Sequence, residues 1–197
     1  MDRVDDVAAA FLAALGPMDA MKLEKLVYYA QAWSAASGRG PLFSNAIEAW
    51  TAGPVVPELF NQHRGQYYVS RWQSGKAAEL SSGGRAIVDW VVDRYGQFSG
   101  QELSAITHAE TPWMAARGDL ADDAWSKARI TVESMAQYYG RQVLSPEQAV
   151  RHAVGNASLE GLSVSEDFEA LLGQVARGDR DPDEAIAELV ASLAAQA

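Results

Sequence analysis

Residues 19–36 read DAMKLEKLVYYAQAWSAA. Leu23, Leu26, Val27, Ala30 and Trp33 recur there at spacings of three and four, the period that gathers side chains on one face of an α-helix. Asp19 is a natural N-cap, and Ser37-Gly38-Arg39-Gly40-Pro41 cannot continue the helix. A helix with one apolar stripe needs partners, and the flanking sequence offers them. Val4 to Leu15 reads as a short amphipathic helix ended by Gly16-Pro17. Downstream, Pro57 suits the first turn of a helix over 56–63. Ser81 or Ser82 can cap a helix through Ile87, Val88, Val91, Val92 and Tyr95. Ser99 and Glu102 have capping-box spacing for a helix reaching His108. Thr111-Pro112-Trp113 starts another, and Thr131 opens one to about 143.

Two segments read differently. Ile47-Glu48-Ala49-Trp50 alternates and is followed by Gly53-Pro54, as a strand turning into a loop does. Tyr67 to Trp72 is aromatic and β-branched, and is expected to pair with it. The expected class is mostly α: a compact helical domain with a small β-hairpin, followed by a small three-helix C-terminal domain.

The boundary is placed near 144, giving domains 1–144 and 145–197. Aromatic residues crowd the chain up to Tyr139, after which only Phe168 remains. The charge changes too: of a formal net charge of −10, residues 145–197 carry −7 and residues 1–144 carry −3. Helices are expected from Ser145-Pro146-Glu147 to Leu159, from a Ser165 cap over 166–176, and from Asp181-Pro182 to 195, with acids in the last one's first turn as the helix dipole prefers.

Composition excludes several function classes. Without cysteine there is no disulfide, thiolate metal site or cysteine nucleophile. His63, His108 and His152 lie far apart in the chain, and His108-Ala109-Glu110 has no second ligand pair nearby, so no metal is expected. Ser82-Gly83-Gly84-Arg85 lacks the strand and lysine of a phosphate loop, and no nucleophile elbow appears. No catalytic residue set and no cofactor are therefore expected. So acidic a chain is a poor ligand for nucleic acid. The apolar run Val7 to Leu15 is too short to span a bilayer and follows Asp2, Asp5 and Asp6 rather than a basic segment, so a cytoplasmic protein without membrane attachment is expected.

What remains is binding. Ala52-Gly53-Pro54-Val55-Val56-Pro57 is stiffened by two prolines beside a glycine. It reads either as a rigid turn into a helix or as a preorganised loop that touches a partner through Gly53 and Pro54. Trp33 and Trp90 fall on apolar stripes, whereas Trp72 and Trp125 fall near loops and are candidate interface anchors. Tyr28-Tyr29 and Tyr138-Tyr139 are each expected to put one ring inward and one near the surface.

Four blocks together resemble the Panacea antitoxin family, also described as SocA/GepA-like. They are MKLEKLVYYAQAW (21–33), PLF…AIEAWTAGPVVPELFNQHRG (41–65), LSAITHAETPW (103–113) and ITVESMAQYY (130–139), in family order. The resemblance implies a mostly helical antitoxin domain that neutralises a toxin by direct binding; one relative is regarded as an adaptor handing its toxin to a protease.

Residues 156–193 resemble the small three-helix VbhA-type antitoxin domain, whose family restrains Fic toxins that transfer AMP to target proteins. Its inhibitory motif is Ser or Thr, three residues, then Glu and Gly or Asn. Glu160-Gly161 match its end, and Asn156 stands where Ser or Thr is usual. The resemblance implies that Glu160 enters the toxin's ATP site, that Gly161 ends its helix, and that Asn156 orients the Glu. Leu159, Leu162, Phe168, Leu171, Leu172, Ile186 and Leu189 would pack the clamp or meet the toxin. On chemistry alone, Glu160-Gly161 also reads as an ordinary helix end with a glycine cap. The expected partner is a cognate toxin, Fic-type, in a hetero-oligomer; the alternative is a proteolytic adaptor.

Overall fold

The computed structural model describes every residue except Asp122, Val143, Leu144, Glu160, Leu162 and 195–197; for Pro146, His152, Asn156, Leu159 and 191–194 only the backbone is described. The chain divides into two compact units, Met1–Gln142 and Val143–Ala197.

The first unit runs α1 (Val4–Leu15), β1 (Met18–Asp19), α2 (Ala20–Ala36), β2 (Ile47–Trp50), β3 (Gly53–Val55), α3 (Pro57–His63), β4 (Tyr68–Val69), a 3-10 turn at Ala77–Glu79, α4 (Ser82–Tyr95), α5 (Gly100–His108), α6 (Thr111–Arg117), β5 (Arg129–Ile130) and α7 (Val132–Gly140). The caps are those the sequence offers. Asp19 accepts from Lys22 N at 2.8 Å and Ser81 from Gly84 N at 3.0 Å. Ser99 and Glu102 form the reciprocal capping box, and Thr131 accepts from Ser134 N at 3.1 Å. Each satisfies an amide that the first turn leaves without an intrahelical partner.

α2 departs from its one-stripe reading. Of its 17 residues, 14 are buried, because α1, α4, α5, α7 and β3 pack around it. Tyr28 and Tyr29 are therefore both interior, correcting the expectation that one ring of the pair faces out. Of the later pair, Tyr139 is buried and Tyr138 half-buried, as expected.

Strand pairing departs as well. β2 pairs antiparallel with β3, Glu48 opposite Val55 and Trp50 opposite Gly53, and on its other side with β5, Ile47 opposite Ile130. The segment expected to join β2 instead forms β4 and pairs with β1, Met18 opposite Val69. A two-residue turn closes at less entropic cost than the loop from Trp50 to Tyr67, and β3 is an edge strand, where Pro54 can sit without breaking a ladder.

A helix buried on all sides needs its polar groups answered from outside. The Gln31 amide donates to Phe43 O at 2.9 Å and accepts from Leu42 N and Phe43 N, which ties the 40s loop to α2. Tyr29 and Tyr139 donate to the Glu110 carboxylate at 3.3 and 2.5 Å, and the Tyr139 hydroxyl lies 3.1 Å from that of Tyr28. Tyr29 also stacks on Tyr95, centroids 4.0 Å apart. Burial pushes Glu110 up to about 7, against the opposing effect of the two tyrosine hydrogen bonds, and raises the phenols of Tyr28, Tyr29 and Tyr139.

The second unit is α8 (Pro146–Leu159), α9 (Glu166–Arg177) and α10 (Pro182–Ala194). Ser165 caps α9 through Phe168 N, Gly178 ends it in the left-handed region, and Asp181 accepts from Asp183 N and Glu184 N to start α10. Among its described side chains only Val150 and Ala185 are buried apolar groups.

The Glu110 cluster makes stability depend on pH with a defined sign. The fold holds the neutral acid, with a pKa of about 7 against an ordinary 4.5. Its contribution is therefore complete below about 4.5, is lost as pH rises toward 7, and is level above that. Denaturant unfolding across this range should show a fall of up to about 3 kcal/mol, and Glu110→Gln should flatten the slope.

Candidate functional site

The sequence pointed to two places, one in each unit. In the second unit, Gly161 follows α8 with φ of 80°, and its N–H reaches Ser158 O at 3.1 Å. A left-handed residue at that point suits glycine. Asn156 and Leu159 lie on α8, with only their backbone described, while Glu160 and Leu162 lie outside the described residues. On α9, Phe168, Leu171 and Leu172 are half-buried, as is Leu189 on α10. Ile186 and Val190, four apart on α10, are 61% and 60% exposed. The three helices thus keep apolar side chains within reach of solvent, as a unit with a small core must. Their acids are conspicuous: Glu166, Asp167 and Glu169 in the first turn of α9, Asp183 and Glu184 in that of α10.

In the first unit, Gly53, Pro54 and Trp72 do not sit where a protruding loop would put them. Gly53 and Pro54 are buried in β3. Trp72 is 8% exposed and donates its indole N–H to Asp5 Oδ1 at 2.9 Å. The expectation that these three present an exposed surface is corrected. The reason for Trp72 lies at the N-terminus. Asp6 accepts from Lys76 N, Asp2 accepts from the amide and hydroxyl of Ser81, and Gly75 presses so closely on the Asp5 backbone that no Cβ would fit. These acids fasten the stretch from Trp72 to Ser81 to the N-terminus. Trp125 does stay out, at 65% exposure, with Lys127 Nζ 5.0 Å above its ring.

Gly53 has another role. It stands at φ of 100°, and a Cβ there would lie 2.5 Å from Lys25 Cε. Its bareness lets the Lys25 side chain pass beneath β3 and donate to Pro54 O at 3.0 Å. The neighbouring Glu24 turns the other way. Its Oε1 lies 2.8 Å from His63 Nε2, and its Oε2 accepts from Val56 N at 2.9 Å. Both residues line a cavity of about 370 Å³ between α2, the β2–β3 turn and α3. Its apolar walls come from Met21, Val55, Trp50, Phe60 and Trp125. Trp50 and Phe60 meet edge to face at 4.7 Å, and Trp50 is fixed by its indole N–H on Glu48 and by Trp113 Nε1 on its carbonyl. Burial pulls Lys25 down to about 8, with Glu24 and Asp19 acting in the opposite direction.

Sequence reasoning passed over Glu24, Lys25 and Phe60. The available signal was the pair of charges inside LEKLV, which a helix exposed on one face would have turned to water. Of the histidines whose side chains are described, His63 bonds to Glu24 and His108 stacks on Trp113 at 4.1 Å, while Glu110 faces the tyrosines.

Comparison with known families finds similarity to two antitoxin domains, one in each unit. Residues 23–114 match the family described as Antitoxin SocA-like, Panacea domain, and residues 147–191 match Antitoxin VbhA. Both expected resemblances are borne out at their positions; the block at 130–139 lies beyond the matched stretch. No curated protein and no solved structure matches the chain.

The Glu24 geometry sets an expectation for stability. Glu24→Ala leaves the Val56 amide and the His63 ring without their buried acceptor and should cost about 2–4 kcal/mol in chemical denaturation. Glu24→Gln keeps an acceptor for Val56 and should cost less. Equal losses would mean that the amide bond contributes little.

Proposed function

We propose that this chain is the antitoxin of a toxin–antitoxin pair and that it neutralises a Fic-type, AMP-transferring toxin by carrying Glu160 into the toxin's ATP site. The observation that carries the reading is the match of residues 147–191 to Antitoxin VbhA; resemblance to that family implies restraint of such toxins. The chemistry supports it. A nucleotide site holds its phosphates with cations, and a carboxylate offered to the γ-phosphate arginine forms a charge-assisted, bidentate pair that excludes ATP. The tail's net charge of −7 draws it toward such a site. Gly161, next in sequence after the Glu, has a left-handed backbone, and Asn156 can accept and donate hydrogen bonds to orient the Glu.

The apolar groups on α9 and α10, Phe168 and Leu172 among them, meet the toxin, and the resemblance adds Leu159 and Leu162 to them. The chain works as part of a hetero-oligomer in the cytoplasm; among the described residues no helix is long and apolar enough to cross a membrane. A second reading, delivery of the toxin to a protease, draws on the match of residues 23–114 to the SocA-like domain.

Glu160→Gly should leave the complex intact and release AMP transfer in an assay of the purified pair; inhibition that persists would remove Glu160 from the mechanism. Toxin half-life in cells separates the two readings. An adaptor shortens it when the antitoxin is present, and a clamp does not. The neighbouring reading frame should carry a motif of the form HxFxx(G/A)N(G/K)R.

A further inference from the structure

We propose that the groove between α2, the β2–β3 turn and α3 is a binding site for a small planar aromatic carboxylate, its ring among Trp50, Phe60 and Trp125 and its carboxylate on Lys25. This inference is independent of the antitoxin reading, and concerns the first unit alone.

The volume, about 370 Å³, lies in the range of small-ligand sites. The walls are apolar and largely aromatic, which favours a flat ring stacked or set edge-on against them. The polar contribution is small and specific. Lys25 is 1% exposed and lines the groove. An ammonium has three N–H donors. One goes to Pro54 O, and no described carboxylate closes an ion pair with it. A buried cation in this condition is costly, and an entering anion relieves that cost. Burial has already lowered the Lys25 pKa to about 8, and a carboxylate alongside would favour the ammonium form.

The other titratable groups nearby sharpen the choice of ligand. Glu24 spends both oxygens on His63 and the Val56 amide, so it does not compete for Lys25, yet its charge remains close. Asp19 is engaged as the α2 cap. A single ammonium matches a single carboxylate; a phosphate dianion would be left with unanswered charge. Gly53 belongs to the same device, because any side chain there would displace Lys25 from beneath β3.

The test uses the full chain with its tryptophan indoles labelled for ¹H–¹⁵N spectroscopy. Indole-3-acetate is titrated in, with indole-3-acetamide as its neutral counterpart and inorganic phosphate as a plain anion. The acid should give saturable shifts at Trp50 and Trp125 and leave Trp33 and Trp90 unmoved. It should bind about tenfold more tightly than the amide, a difference of about 1.4 kcal/mol. Phosphate should shift neither indole. Lys25→Met should abolish the preference for the acid. Should that variant fail to fold, Trp125→Ala, at an exposed position, should weaken acid binding several-fold with the other indoles in place. Absence of saturation at millimolar acid, comparable shifts with phosphate, or undiminished binding to Trp125→Ala would overturn the proposal. Equal affinity for acid and amide would also overturn it, and would assign the groove to an apolar side chain of a partner polypeptide instead.

Discussion

A helix with no face to solvent has no water to satisfy its polar side chains, and in the first unit that constraint falls on α2. Its Glu24, Lys25, Tyr28, Tyr29 and Gln31 are each answered by a different part of the chain: His63 of α3 with the Val56 amide that precedes that helix, the Pro54 carbonyl, Tyr139, Glu110 and the 40s loop. The segments around α2 are thus held in place by directional bonds as well as by apolar contact. Leaving one of these groups unmade would cost more than the bond itself returns, so the surrounding topology is specified by the polar residues of a helix that apolar periodicity alone would have called a half-exposed one.

Periodicity and caps made the helices legible. The starts at Asp19, Ser81, Ser99 and Thr131 depend on chemistry within a few residues, and each is found with its backbone bond made. Strand pairing depends on which edges are free in three dimensions. Nothing near Val69 in the sequence says that Met18 rather than Ile47 will be its neighbour. Burial failed for the same reason. Trp72 looks like a loop aromatic until Asp5, 67 residues earlier, takes its N–H. The three acids near the N-terminus read only as charge that disfavours a leader, whereas they pin a distant loop. The groove was the least legible of all, since Met21, Trp50, Phe60 and Trp125 come from four separate stretches.

The two units rest on different balances. The first has a continuous core of α1, α2, α4, α5 and α7 residues with aromatic rings at its centre. The second depends on caps and glycine stops that fix three helices locally, with few described side chains shielded from water. Helices of 12 to 14 residues stabilised mainly by their ends are marginal without a surface to pack on. A binding partner that covers Ile186, Val190 and the half-buried face of α9 would supply that surface, so folding and association of this unit are thermodynamically linked.

All six tryptophans, at 33, 50, 72, 90, 113 and 125, belong to the first unit, and the second holds one phenylalanine. Intrinsic fluorescence therefore reports on Met1–Gln142 alone, while far-ultraviolet circular dichroism sums the helices of both. A melt in which the two signals part company would be reading the units separately, and a tail that unravels first would pass unseen by emission.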